Sequence, residues 1–592
     1  MKNRIFLVAV CLLLVAVMLF SCTTPNTTTT TTVTKPDIQD VIGDIDTDID
    51  DNDTNSDYSD DGATMIAFSK NDVSIKGMGA AAQGSTVKIG SEGTYIFSGS
   101  CDDGYVIVDA NKAEIKIVLE GLTLSNNDGP AIIVKNAKKV TVTLAEGTDN
   151  YLADGASYQL TEGNATVDGA IFSKAELVIN GAGNLTVNGN NAHGIVSKKG
   201  LVIAGGNLSV KSKSAGICGK DYLKITNSNI TINAGTDGLK SDNMEDSGMG
   251  YVYIQSGSFD ITSANDAIQA YHIASIEGGT FNIKTTSALS TASAKGVKGV
   301  TGVAISGGTF TINAQDDGIH SDGDVMLSGG NISISSADDG VHANDKLDIT
   351  GGELVIAKSY EGLEATEISI YDGVVVINSS DDGMNASGGN DENTNTSTRP
   401  GGDMFESSNG AIAISGGYLI IHAEGDGIDA NGSIEMSGGV VLVDGPSRGG
   451  NGSMDYNSTA SITGGVFIAL GTRDMAQNFK SATQGSFLLS SSGSFSAGTL
   501  ISVCDEKGNV IAAFRSTKTF NCVTVSAPEL KQGETYTLYK NANVDGLDEN
   551  GFAHNTTQTG GETCGTVTLS SLITGSGSSM GGFPGGGGKP PR

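Results

Sequence analysis

The 592-residue chain has no tryptophan, and its 17 phenylalanines and 15 tyrosines make up only 5% of it. A thick globular core, and broad aromatic platforms for neutral sugars, are therefore disfavoured. Basic residues are scarce too: 35 Lys and Arg face 67 Asp and Glu, a formal charge of −32. Such a surface repels nucleic acid. The seven cysteines show no paired metal-ligand spacing, so a zinc-ribbon site is excluded. Cys504 and Cys522, in neighbouring predicted strands, could bridge in an oxidising compartment or remain isolated buried thiols. No helical apolar stripe is present.

What the chain has in excess is glycine, 83 residues, and much of it is periodic. Gly296, Gly318, Gly340, Gly362 and Gly383 are separated by 22, 22, 22 and 21 residues. The phase extends backwards through Ala267, Gly238, Gly216 and Gly194 and forwards to Gly427. Gly-Gly pairs at Gly205, Gly278, Gly307, Gly329, Gly351, Gly416, Gly438 and Gly464 form a second ladder. One period holds three short alternating stretches, which predicts an all-β solenoid, a parallel β-helix with about 22 residues per coil over 63–495. Phe310, Ile312, Ile319, Val325 and Leu327 should point inward, and Thr311, His320 and Asp322 outward. Longer intervals fit loops near 243–249 and 286–292 and an insertion at 388–409. A strand meander within 496–574 is expected to cap the open end.

At the N-terminus, Lys2 and Arg4 precede an apolar run from Ile5 to Phe20, and Leu19-Phe20-Ser21-Cys22 resembles a lipobox. That pattern predicts a signal peptide over 1–21, lipidation of Cys22 and an exported, membrane-anchored lipoprotein at the cell surface. Residues 22–62 combine a threonine run with eleven aspartates between Asp37 and Asp61, which reads as a solvated tether. The Gly/Pro-rich 575–592 reads as a flexible tail.

Because parallel coils stack about 4.8 Å apart, a residue repeated at the period becomes a column. Before the turn glycine (or Ala267) stand Asp237, Asp266, Lys295, Asp317, Asp339, Glu361, Asp382 and Asp426, preceded in some coils by Asp316, Asp338 and Asp381. Two places after it stand Lys240, Gln269, Lys298, His320, His342, Glu364, Asn385 and Asp429. Carboxylates about 5 Å apart repel by roughly 3 kcal/mol at an effective dielectric near 20. A long acidic column needs solvation, protonation or a bound cation, and clustered carboxylates with carbonyl and amide oxygens suit Ca²⁺. A single Asp can simply suit a turn beside a left-handed glycine; the repeated Asp-Asp-Gly asks for more. The expected ligands are Asp237, Asp242, Asp266, Asp316, Asp317, Asp338, Asp339, Glu361, Asp381, Asp382, Asp426 and Asp429. The His320 and His342 pair could also suggest a transition metal, although surface residues of the repeat explain it as well.

The succession Lys295-Gly296-Val297-Lys298, Asp316-Asp317-Gly318-Ile319-His320-Ser321 and Ser359-Tyr360-Glu361-Gly362 resembles bacterial carbohydrate-binding β-helix proteins that bind calcium and acidic plant polysaccharide, fold relatives of the family nine polysaccharide lyases. The resemblance spans roughly 65–573. It implies a right-handed coil, calcium in the Asp-rich turns, and binding of polygalacturonate-like glycans, with cellulosic ones as a further candidate, without demonstrated cleavage; the chain is expected to be a monomer. Ca²⁺ would bridge the acidic surface to a polyuronate. Lys240, Lys298, His320, His342, Tyr271 and Tyr360, beside the columns, are the expected glycan contacts, with Tyr251 and Tyr253 also near. The rival class is a lyase in which Lys240 is the base, with Lys298, beside Lys295, as a second candidate; Asp237, Asp242, Glu245, Asp246 and Asp266 around Lys240 would hold it protonated unless calcium occupies them. A structural stalk or adhesin is the third class.

Overall fold

The computed structural model describes residues 35–70, 72–159, 166–287, 293–387 and 409–575. The signal segment, Cys22, residues 576–592 and most of the 388–409 insertion lie outside the described residues.

The alternating stretches become three ladders of parallel strands. In the first, three-residue strands run through Ile217–Gly219, Leu239–Ser241, Ile268–Ala270, Val297–Gly299 and Ile319–Ser321, with Ile217, Leu239, Ile268, Val297 and Ile319 in register. The second passes through Tyr222–Ile225, Tyr251–Ile254, Ile273–Ile276 and Gly302–Ile305. The third passes through Ser228–Ala234, Gly257–Ser263, Thr280–Thr285 and Thr309–Asn313. They belong to one large, mostly parallel sheet of 48 strands among the described residues. Helix is confined there to two single turns, Gln39–Ile42 and Asp51–Thr54. The three ladders are the arrangement a parallel β-helix requires.

The interior is narrow and stacked. Phe310, Ile312, Ile319, Val325 and Leu327 are all buried. Phe259, Phe281 and Phe310 lie face over face, with centroids 4.6 and 4.4 Å apart. Thr311 and Asp322 face solvent as expected, but His320 is only 5% exposed. The turn glycines are also not left-handed. A Cβ on Gly318 would meet the Gly340 carbonyl at 2.6 Å and Ile334 at 2.4 Å, so close approach between coils demands glycine there. Left-handed backbone occurs instead in the Gly-Gly pairs, as at Gly308 with φ 101°.

Apolar residues on both faces of a strand mark where the coil is covered. In the last coils Ile420, Leu442 and Ile468 pack outward against Phe487, Phe514, Val525 and Leu538 of the C-terminal region. There Phe520–Ala527 closes the main sheet antiparallel to Val466–Gly471 and Gly485–Phe495. A five-stranded sheet follows, with Leu500–Cys504 between Val510–Arg515 and Thr535–Lys540. This arrangement overturns the candidate disulfide. Cys504 sits in the five-stranded sheet and Cys522 in the main one, opposite Gly471 and Ser490, and both are free thiols.

The acidic tether needs a larger correction. Residues 36–62 form a strap laid along the outer face of the second ladder. Ile42, Ile45 and Ile49 pack on Tyr222, Tyr251, Tyr253 and Ile273. The sequence signal was Ile45, Thr47 and Ile49 alternating with Asp44, Asp46, Asp48 and Asp50, a two-residue period that burial of one side converts into docking. Tyr251 and Tyr253, expected near the columns, are buried beneath the strap.

Candidate metal centre

The turn before the first ladder sets two rows of polar side chains side by side. One row follows the strands in register: Lys240, Gln269, Lys298, His320, His342, Glu364, Asn385, Asp429 and Asp455 oppose one another in sequence. The other is the row before the turn glycine. Both are more enclosed than outward-facing columns should be: Asp237, Asp266, Lys295, Asp317 and Asp339 are buried. Each coil's turn backbone hydrogen-bonds to the next coil's, as where Gly318 N donates to Asp339 O at 2.9 Å, leaving the side chains little room to reach water.

Along its first half the site carries its own cations. Lys240 Nζ is 2.8 Å from Asp237. Burial pulls the Lys240 ammonium down, but Asp237 outweighs it and the pKa is raised. Lys295 Nζ lies 2.9 Å from Asp316 and 2.6 Å from Asp317, where a metal shared by these two carboxylates would sit. His320 bridges Asp317 and Asp322, with Nδ1 and Nε2 each 2.8 Å from a carboxylate. Against the cost of burial, His320 and Lys295 hold Asp317 low. His342 stacks on His320 at 4.8 Å and its Nδ1 meets Asp339 at 3.0 Å and Glu364 at 2.9 Å. Burial opposes its charge, yet these two carboxylates push it up to about 12. Burial and the neighbouring anions push Asp339 up, whereas Glu364, against its own burial, is held down by hydrogen bonds from His342 and Asp339. His342 is therefore a buried counter-ion and His320 a buried hydrogen-bonding partner of Asp317 and Asp322, and neither is a surface residue.

Beyond Glu364 neither row holds a Lys, Arg or His among the described residues. Glu361, Asp382 and Asp426 are each pushed up to about 8, by burial first and then by a neighbouring anion: Glu364 for Glu361, Glu361 for Asp382 and Asp382 for Asp426. Asp429 rises to about 6 through burial and Asp455. Ligand atoms of Asp382, Asp426 and Asp429 lie within 4.8 Å of one another. Asn385 gives its Nδ2 to Glu361 at 2.8 Å, and its buried Oδ1 has no hydrogen-bond partner. Three converging carboxylates, with an unpartnered amide oxygen on Asn385, which stands beside Asp429 in register, form an all-oxygen set that fits a hard divalent cation such as Ca²⁺. Asp316, Asp317 and Asp338 also converge, but Lys295 already lies on two of them. Asp339, His342 and Glu364 converge around the imidazole.

The remaining expected residues spread around these groups. Lys298 Nζ is 4.0 Å from Asp322. Asp242 is half-buried, and Glu245, expected to crowd Lys240, is exposed and faces Lys220 at 3.9 Å. Asp266 is buried, accepting from Lys295 N at 2.9 Å and Ser293 at 2.8 Å. Asp381 hydrogen-bonds Tyr360, and that bond, ahead of burial, pushes the Tyr360 hydroxyl up to about 12. Tyr360 is 48% exposed beside the cation-poor half. Tyr271 is half-buried, edge-on to His272. The polar residues that sequence reasoning left out of the ligand set are Glu364, Asn385 and Asp455. All three lie in the register row, so its spacing could have found them.

The family model described as "Carbohydrate-binding domain-containing protein" matches residues 83–340 and 335–480, and the chain belongs to that family. A carbohydrate-binding domain-containing protein of Acetivibrio thermocellus is 41% identical over 128 residues, 21% of this chain and 45% of its own length. The chain thus spans under half the length of that relative. A solved polysaccharide lyase-like protein from C. thermocellum, a gadolinium derivative, is 31% identical over 46% of this chain and 96% of its own, with a TM-score of 0.36.

Proposed function

We propose that the protein is a non-catalytic, calcium-dependent binder of acidic, polygalacturonate-like polysaccharide, displayed at the cell surface through a lipid on Cys22 and built on a right-handed parallel β-helix. The observation that carries the calcium reading is the uncompensated stretch Glu361, Asp382, Asp426 and Asp429 around the orphaned Asn385 Oδ1. Oxygens of this kind would hold Ca²⁺, which neutralises them and offers its open coordination positions to a uronate carboxylate. Tyr360, exposed next to this stretch, supplies a ring face for the sugar. Membership of the carbohydrate-binding family supports the glycan. Asp237, 2.8 Å from Lys240, raises its pKa against the pull of burial and so disfavours it as the base of a lyase.

The experiment is retention on immobilised polygalacturonate with and without EDTA, run beside an ultraviolet assay for unsaturated product. Calcium-dependent retention without product is expected, together with its loss in Asp382→Asn/Asp426→Asn. Retention indifferent to EDTA, or product that disappears in Lys240→Ala, overturns the reading.

A further inference from the structure

The strap over residues 36–62 makes contacts of one chemical sense. Lys224 Nζ donates to Asp46 Oδ2 at 2.8 Å and to Asp48 O at 2.7 Å. Tyr251 Oη donates to Asp46 O at 2.8 Å. Asn180 Nδ2 donates to Asp53 O at 2.8 Å and Asn55 O at 3.1 Å. Lys116 Nζ donates to Asn55 O at 3.3 Å and Asp57 O at 2.6 Å, and Lys139 pairs with Asp53. The coil face supplies the donors and the strap supplies oxygen. No ladder of backbone hydrogen bonds ties the strap to the coils; its backbone bonds from Asp37 to Asn55 are local.

The same face carries an aromatic ladder. Tyr222 and Tyr251 stack at 5.6 Å and 21° in neighbouring coils, and Lys224 Nζ lies 5.1 Å from the Tyr222 ring. Between the strap and the coils runs an open groove of about 850 Å³, where the strap's aspartates face Lys116, Lys138, Lys139 and Lys224 and the coils add Glu114 and Glu176, paired with Lys138 at 2.6 Å and Lys139 at 2.9 Å. These lysines gather in a chain whose acidic residues outnumber its basic ones 67 to 35. Rings for an apolar face, flanked by ammonium groups for carboxylates, are what a chain of acidic sugars asks of a protein. The strap answers the same chemistry with Ile45 and Ile49 on the rings and Asp46 and Asp53 on the lysines.

We infer that this lysine and tyrosine face of the second ladder is a second docking face for acidic polysaccharide, and that the strap occupies it as an internal competitor. The inference rests on the acidic-glycan part of the proposed function and not on its calcium. Binding here is direct, ammonium to carboxylate, so it resists EDTA and weakens with salt. A tethered occupant lowers apparent affinity by the fraction of time it is seated.

The test uses the full chain and polygalacturonate in EDTA, where calcium-bridged binding is silent. Asp46→Lys/Asp53→Lys sets like charges against Lys224 and Lys139 and should lift the strap, seen as faster hydrogen exchange at Tyr251 and its neighbours. Affinity in EDTA should rise by about tenfold or more and fall again with salt. A synthetic peptide of residues 36–62 should compete the gain away, and adding Lys224→Gln and Lys139→Gln should abolish it. If the charge reversal unfolds the chain, Asp46→Asn/Asp53→Asn replaces it, with a smaller gain expected. A strap that lifts without any EDTA-resistant gain, or a gain that the peptide and the lysine substitutions leave untouched, overturns the inference. Loss of EDTA-sensitive retention in the wild type would instead count against the calcium reading alone.

Discussion

The two halves of the polar ladder are built on the same backbone repeat and differ in how they meet the repulsion of stacked carboxylates. From Asp237 to Glu364 the chain places Lys240, Lys295, Lys298, His320 and His342 among the acids. From Glu361 onward it places an amide and more acids, and Glu361, Asp382 and Asp426 are each pushed up to about 8. A buried acidic column thus has an internal solution, in which the counter-ion is covalently part of the protein, and an external one, in which protons or a metal must supply it. The internal half is suited to holding coils together. The external half is suited to responding to solvent.

The sharpest way to break this contrast is to remove a built-in cation. Lys295→Met leaves Asp316 and Asp317 without their shared ammonium and should cost about 3–5 kcal/mol, read as a shift of the denaturation midpoint. Adding Asp317→Asn should restore part of the loss. An unchanged midpoint in the single variant would mean that the first half is solvated rather than compensated.

Calcium should act on the other half. A cation held only by the folded chain adds about 2.7 kcal/mol when present at a hundred times its dissociation constant, so melting should rise in millimolar calcium and fall back with EDTA. Asp382→Asn/Asp426→Asn should erase that rise, while Asp316→Asn/Asp317→Asn should leave most of it. The reverse ranking would place the ion on the Asp-Asp-Gly group instead.

Without metal the second half should make stability depend on pH in a stated direction. These carboxylates have raised pKa values, so the folded chain holds their protons more tightly than the unfolded chain. Stability in EDTA should therefore decline as pH rises from the ordinary carboxylate range near 4 to about 8. Melting curves across that interval should flatten in Asp382→Asn/Asp426→Asn. A wild-type curve that climbs with pH instead would contradict the burial assigned to the stretch.

The smallest effect is expected at Tyr360. Tyr360→Ala should weaken polygalacturonate binding about fivefold and leave melting unchanged, because the ring is 48% exposed. Equal affinity in both proteins would remove the sugar face from the site.

The sequence by itself determined the repeat, the identity of the inward side chains and the order of the polar row, because a fixed period in a stacked chain forces residues such as Phe259, Phe281 and Phe310, or His320 and His342, into register. Glu364 and Asn385 stand in that row and Asp455 continues it one coil further, but spacing tells which residues align and not how deeply they are buried. Burial was decided only in three dimensions: coils pressing together enclosed His320 and Asp317, which alternation alone placed outside. The free thiols Cys504 and Cys522 followed from strand pairing across distant segments, which no local pattern encodes. The docked strap likewise depends on contacts between distant segments. An aspartate-rich segment has too little apolar surface to fold alone, but Ile42, Ile45 and Ile49 need only a prepared surface, and the solenoid provides it with Tyr222, Tyr251 and Tyr253 on one side and Lys116, Lys139 and Lys224 on the other.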